Sequence, residues 1–188
     1  MPGTACRRPA VVHLPDARLG VAAGIIDCVS PRTHPHEGEF HYHHPIEVRF
    51  GDTDALGHVN NAVYLSYFEM ARAGYYEAMT GVPFGTGEDA RHRTFLIAEA
   101  TVRYRMPAFF GEPLVADCRI GWATGSSFAL EYRIRAEASS LGAARLVAEG
   151  ETIQVMYDLV ASRVSRLPPR LVAQFEAFEG RPIPPRPR

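Results

Sequence analysis

RFGDTDALGHVNNAVYLSYFEMAR, residues 49–72, joins the end of an alternating strand to a long apolar helix through a polar turn. Upstream, Ile46, Val48 and Phe50 alternate with Glu47 and Arg49, which predicts a half-buried strand from Pro45, ended by Gly51, Asp52 and Asp54. Downstream, Asn60 and Asn61 are N-cap candidates, and Ala62 to Met79 holds no Pro and a single Gly, Gly74. Val63, Tyr67, Met70, Gly74 and Ala78 would share one helix face, and Tyr64, Phe68, Ala71 and Tyr75 the next. A helix apolar around most of its circumference must be buried on more than one side. Glu69 and Arg72, three apart, pair along its exposed edge. The turn between strand and helix gathers a carboxylate, an imidazole and two amides at a helix N-terminus, which marks it as a site.

Outward from this stretch the remaining pattern is sheet. After a Gly-rich loop at residues 80–92, strand-like segments run from Thr94 to Arg105, Pro113 to Trp122, Ser126 to Ala136 and Arg145 to Tyr157. Turn residues Pro107, Gly111, Pro113, Gly125 and Gly142 separate them. Val102 and Tyr104, then Phe128, Leu130, Tyr132 and Ile134, then Ile153, Val155 and Tyr157 alternate as in antiparallel strands with one wet face, and a meander is the natural connection. The expected class is α+β, with a curved antiparallel sheet of about five strands around one long helix. Leu171, Val172, Phe175 and Phe178 predict a short amphipathic C-terminal helix, and the tail GRPIPPRPR is too rich in Pro and Arg to fold.

Three regions follow: an N-terminal extension over 1–40, a core domain over 41–166, and a C-terminal helix with its tail over 167–188. The extension is flexible or packed on a partner, and its only apolar run is Val21 to Ile26. His34, His36, His41, His43 and His44 crowd the junction, but no carboxylate or Cys recurs at a metal-site spacing, so neither a metal nor another cofactor is expected.

The 188 residues carry 20 Lys+Arg against 21 Asp+Glu, a balance that offers no electrostatic footprint for nucleic acid or an anionic membrane. Cys6, Cys28 and Cys118 are odd in number and lack a metal-ligand spacing. Neither a signal peptide nor a bilayer-spanning stretch is apparent, so a cytoplasmic location is the expectation.

Asp54, Gly57, His58, Val59, Asn60, Asn61 and Tyr64, followed by Tyr67, Phe68 and Glu69, resemble the signature of hotdog-fold acyl thioesterases of the 4-hydroxybenzoyl-CoA thioesterase group. The later run VRYRMPAFFGEPL, residues 102–114, resembles that group's next landmark, a strand ending in Tyr, then Pro, then a Gly-acidic turn. The resemblance spans roughly residues 44–160. It implies the hotdog fold, hydrolysis of an acyl thioester carried by coenzyme A or an acyl-carrier protein, and a homodimer or homotetramer with sites at the subunit interface.

A thioester is attacked at its carbonyl carbon, so hydrolysis needs a base or nucleophile on one side and donors for the oxyanion on the other. By resemblance Asp54 is the catalytic carboxylate, either activating water or attacking to give an anhydride, and the backbone N–H around Asn61 polarises the carbonyl. Unpaired N–H groups and the positive dipole end of the helix's first turn suit that task. Gly57 lets the turn pass close to the acyl group, with Asn60 and Tyr64 as further substrate-binding candidates.

HVNN with an Asp four residues before the His also resembles plant acyl-carrier-protein thioesterases, whose Asn two before the His is Leu56 here. His58 therefore either orients water or Asp54, or only bonds the turn. Taken singly, Asp52, Asp54, Asn60 and Asn61 are ordinary turn and capping residues, and Tyr64, Tyr67 and Phe68 ordinary core. Asp52 keeps that structural role, and Glu69 is better explained by Arg72 or a dimer contact. No basic cluster follows Trp122 in GWATGSSF, which leaves Arg103, Arg105, Arg133 and Arg135 as alternatives for the nucleotide. A non-catalytic acyl-thioester binding protein and a hydratase or dehydratase on the same scaffold are the competing functions.

Overall fold

In the computed structural model, which describes residues 39–86 and 92–187, an antiparallel sheet of six strands packs with two helices. The elements are β1 (Tyr42–Glu47), α1 (Val63–Thr80), β2 (Arg93–Tyr104), β3 (Pro113–Ala123), β4 (Ser127–Ala136), β5 (Arg145–Asp158), β6 (Arg163–Val164) and α2 (Pro169–Glu179). The expectations for Val21 to Ile26, Cys6, Cys28, His34 and His36 lie outside the described residues.

The sheet order is β1-β3-β4-β5-β2, with the two-residue β6 paired to β5 as a sixth strand beyond the five expected. Only β3, β4 and β5 form a meander. β2 pairs with the far side of β5, so the chain crosses the sheet between β2 and β3. The first strand begins earlier than expected and ends at Glu47, and Phe50 is 79% exposed instead of core-facing. The cause is Asp52, whose carboxylate accepts from the Arg49 N–H at 2.9 Å and turns the chain over a 3-10 segment, Phe50–Asp52.

Tyr64, Phe68, Ala71 and Tyr75 form the buried face of α1, as their spacing predicts. Phe68 stacks on Tyr132 of β4 with ring centroids 4.3 Å apart. A Cβ at Gly150 would overlap the Phe68 ring and the Thr101 carbonyl, so glycine there lets α1 sit this close to the sheet. On the adjoining face only Tyr67 is buried; Val63 and Gly74 are half-buried, and Met70 and Ala78 are exposed. Arg72 pairs with Glu69 as expected, yet it is buried under the helix rather than on an exposed edge.

β5 corrects the alternation reading. Its register sets Thr152 opposite Leu130 and Gln154 opposite Phe128, so these polar side chains join the core face. Thr152 tolerates burial because its hydroxyl bonds the Tyr132 hydroxyl at 2.8 Å. Ile153 instead faces the other side, where it clusters with Trp122 and Ala129.

α2 forms where predicted, with Leu171 and Phe175 buried. The tail, expected not to fold, runs along β3. β1 covers β3 only from Pro113 to Cys118; beyond that, Arg181 donates to the Ile120 carbonyl and the Ala123 N–H donates to the Pro184 carbonyl at 3.0 Å. Arg186 lies over the Trp122 ring at 5.0 Å. Proline lacks an N–H but keeps its carbonyl, so a Pro-rich segment can still accept at a sheet edge. Among the described residues no helix is long and apolar enough to cross a membrane.

Candidate active site at the Asp54 turn

Residues 53–59 form a small loop closed by a bridge between Thr53 and Val59. The Asp54 N–H donates to the His58 carbonyl and the Gly57 N–H to the Asp54 carbonyl, each at 3.0 Å. Asp54 Oδ1 accepts from the Leu56 N–H at 2.8 Å, while Oδ2 lies 3.5 Å from His58 Nδ1. Gly57, at φ +81°, supplies the left-handed conformation at the tip. The Asp54 side chain is about a quarter exposed, at 24%. The loop thus presents a partly exposed carboxylate with one oxygen fixed and an imidazole beside the other. His58 Nδ1 also lies 3.3 Å from the Val59 carbonyl, so both of its sequence readings retain a geometric basis.

The helix entry differs from the expected cap. α1 starts at Val63, and neither Asn60 nor Asn61 occupies the N-cap, which is Ala62. Asn60 Oδ1 instead accepts from the Ala62 N–H at 2.9 Å, before the first helical residue. The Asn61 carbonyl accepts from the Tyr104 hydroxyl at 2.9 Å, and the Asn61 N–H has no acceptor among the described residues. A backbone donor at the positive end of an 18-residue helix is therefore left available beside the loop. The sequence marks Tyr104 as a strand residue and a landmark, and its spacing along β2 holds no hint that it reaches across to residue 61.

Tyr64 is only 3% exposed and packs edge-on against Tyr104, with centroids 5.2 Å apart. Burial pushes its hydroxyl up to about 12. Glu69 is exposed on α1, paired with the buried Arg72, and takes no part in the loop's hydrogen bonds. Of the four arginines considered for a nucleotide, Arg105 pairs with Glu149, Arg135 with Asp117, and Arg133 lies 4.7 Å over the Phe40 ring. Phe50, Leu56, Phe109 and Phe110 are exposed near the loop, Phe50 and Phe110 meeting edge-on at 6.0 Å. The loop carrying Phe109 and Phe110 is tied down at both ends: Val59 N–H donates to the Ala108 carbonyl at 2.8 Å, and Arg145 grips Glu112.

Asp52 holds this assembly from below. Its buried carboxylate accepts from the Arg49 backbone and guanidinium and from the Tyr67 hydroxyl at 3.0 Å, while its own carbonyl accepts from the Asn60 N–H. Burial pushes the Asp52 carboxyl upward, but the bonds from Arg49 and Tyr67 outweigh it and hold it below its ordinary value. A carboxyl depressed by folding contributes stability that is present above its unfolded value, near pH ~3.9, and is lost as pH falls through the folded value. Asp52→Asn is accordingly less stable than wild type at pH 7, and urea midpoints at pH 7 and pH 3 should show the gap narrowing in acid. A gap that stays constant contradicts this role.

A family model described as the thioesterase-like superfamily matches residues 48–175. The acyl-CoA thioester hydrolase YbgC of Escherichia coli O6:H1 is 30% identical over 134 residues, covering 70% of this chain and 93% of that protein. A Thermus thermophilus thioesterase, crystallised with coenzyme A and Zn, is 31% identical, with 77% of this chain and 98% of that one covered at a TM-score of 0.63. The 1,4-dihydroxy-2-naphthoyl-CoA thioesterase Slr0204 of Synechocystis shares the fold at 19% identity, 71% and 94% coverage and a TM-score of 0.63. With the matched segment beginning in the approach to the Asp54 loop and ending inside α2, the chain belongs to the thioesterase-like superfamily.

Proposed function

We propose that the protein is an acyl-CoA thioesterase of hotdog fold, its sheet curled about α1, in which Asp54 activates water or attacks the thioester carbonyl. The observation that carries this reading is the pairing of a partly exposed carboxylate at Asp54 with an unspent backbone donor at Asn61. The carbonyl oxygen becomes negative as the tetrahedral adduct forms, and a fixed N–H at the helix's positive end stabilises that charge more than the ground state. His58 orients Asp54 or water; Gly57 and Asn60 shape the loop against the acyl group. A hydratase needs an acid/base pair at the acyl C2 and C3 atoms, for which Asp54 and His58, 3.5 Å apart, are the candidates in this loop. Release of free thiol from a panel of aromatic, short and long acyl-CoAs supports the reading. Loss of conjugation from an enoyl-CoA without thiol release favours the hydratase, and activity on acyl-carrier-protein substrates alone changes the carrier.

The site is completed, in our reading, by a second copy, and the protein is a cytoplasmic homodimer or homotetramer of protomers whose catalytic domain is residues 41–166, with 1–40 as an extension and 167–188 as a C-terminal appendage. β2 is 12 residues long, pairs among the described residues only with β5, and exposes Leu96 and Ile97 at 46% each. An open edge of that length is a template for another strand. Leu96→Lys with Ile97→Lys should yield a monomer in sedimentation velocity and cut thiol release, whereas an unchanged assembly places the interface elsewhere.

A further inference from the structure

Both ends of β2 turn an aromatic side chain toward α1. Phe95 meets the Tyr76 ring at 6.1 Å, and Tyr104 meets the Tyr64 ring at 5.2 Å. Nine residues apart, the two would face opposite sides of a regular strand, and the register shift between Ile97 and Glu99 brings them to the same side. The start of β2 also lines a cavity of about 520 Å³, set between the C-terminal end of α1, the end of β5 and the start of α2. Tyr76, Phe84, Phe95 and Met156 give it an apolar wall, with Tyr76 edge-on to Phe84 at 5.4 Å. Its size falls within the ~300–1,000 Å³ usual for small-molecule sites.

The Asp54 loop of the same protomer is far from this cavity. The 18 residues of α1 span about 27 Å, and the loop lies at the other end of the helix. None of Asp54, Gly57, His58, Asn60, Asn61 and Tyr64 lines the cavity. A second copy brings the two together. Identical edge strands that join about a twofold axis perpendicular to them run antiparallel, so the start of each lies opposite the end of the other. Centred on β2, the pairing sets Arg93 opposite the partner's Tyr104, and Phe95 opposite the partner's Val102. Because the Tyr104 hydroxyl donates to the Asn61 carbonyl at 2.9 Å, Tyr104 brings the helix N-terminus of its own protomer to the margin of the other's cavity.

We propose that the acyl group of a thioester held at Asp54 and Asn61 of one protomer enters this cavity of the second, whose Tyr76, Phe84, Phe95 and Met156 select a medium-chain aliphatic group. An acetyl group would leave most of that volume empty. The assignment rests on the thioesterase reading and on the β2-edge dimer, and adds to them which copy binds the chain.

Gln174→Trp fills the cavity from an exposed position on α2. It should lower the ratio of kcat/KM for dodecanoyl-CoA over acetyl-CoA about tenfold or more. Mixed dimers, co-expressed with two affinity tags, then pair a Gln174→Trp protomer with an Asp54→Asn protomer. In the proposed arrangement one site of the mixed dimer combines an intact Asp54 with the intact cavity of the other copy, so dodecanoyl-CoA hydrolysis returns to about half that of wild type. A mixed dimer no faster than the Gln174→Trp homodimer overturns the proposal, because each cavity then serves its own Asp54. A ratio unchanged by Gln174→Trp, or a monomeric wild type that hydrolyses dodecanoyl-CoA, overturns it as well. S-dodecyl coenzyme A, a thioether that releases no thiol, separates this proposal from the reading beneath it. Its binding should weaken about tenfold or more in Gln174→Trp. Unchanged binding overturns the cavity assignment, whereas no thiol release from any acyl-CoA overturns the thioesterase reading.

Discussion

Asp54→Asn lowers the rate of thioester hydrolysis by about a hundredfold or more, the usual cost of losing a catalytic base or nucleophile. The substitution is close to isosteric. Its Oδ1 still accepts from the Leu56 N–H, and an amide NH₂ replaces the oxygen that faces His58. The fold should therefore change by no more than about 0.5 kcal/mol, as for substitutions outside buried networks. What is lost is the negative charge, and with it both routes open to Asp54, abstraction of a proton from water and attack on the carbonyl carbon. The Asn61 N–H remains, so the residual rate reports carbonyl polarisation without a base. Substrate affinity should fall less than turnover, and steady-state kinetics on one acyl-CoA separates the two.

Glu179→Ala produces the largest loss of stability, about 2–5 kcal/mol. Glu179 is 2% exposed, and its Oε1 accepts from both the Tyr75 hydroxyl at 2.6 Å and the Ile120 N–H at 2.7 Å. β1 covers β3 only as far as Cys118, which leaves that N–H, on the same edge as the Ile120 carbonyl, without a strand partner. Alanine strands two buried donors at about 1–3 kcal/mol each and unfastens α2 from α1 and β3 together. Glu179→Gln keeps an acceptor at Oε1 and should lose less than half as much. Urea unfolding of the two variants is the check, and equal losses would mean that packing, not the two hydrogen bonds, holds α2.

The sheet and α1 are legible in the sequence because their signal is local. Phe128, Leu130, Tyr132 and Ile134 alternate at period 2, and Tyr64, Phe68, Ala71 and Tyr75 recur at helical spacing; all eight are buried. β5 misleads because polarity stands in for exposure. Thr152 and Gln154 face the core, Thr152 bonded to the Tyr132 hydroxyl of β4 and Gln154 to the Thr152 side chain, pairings that no periodicity records. The tail misleads for the same reason, since its acceptors and donors lie about 60 residues away on β3. The loop itself is legible as a cluster, whereas its supports are not. Asp52 reads as a turn residue, and its bond to Tyr67 depends on how the helix folds back over the turn.

The central claim is that hydrolysis depends on the Asp54 carboxylate and not on the helix carboxylate Glu69. The most direct test is thiol release from the best acyl-CoA by wild type, Asp54→Asn and Glu69→Gln, side by side under saturating substrate. The predicted result is an active wild type, a collapse of about a hundredfold or more in Asp54→Asn, and near wild-type turnover in Glu69→Gln. Retained activity in Asp54→Asn, with loss in Glu69→Gln, would contradict it and move the chemistry from the loop to the helix.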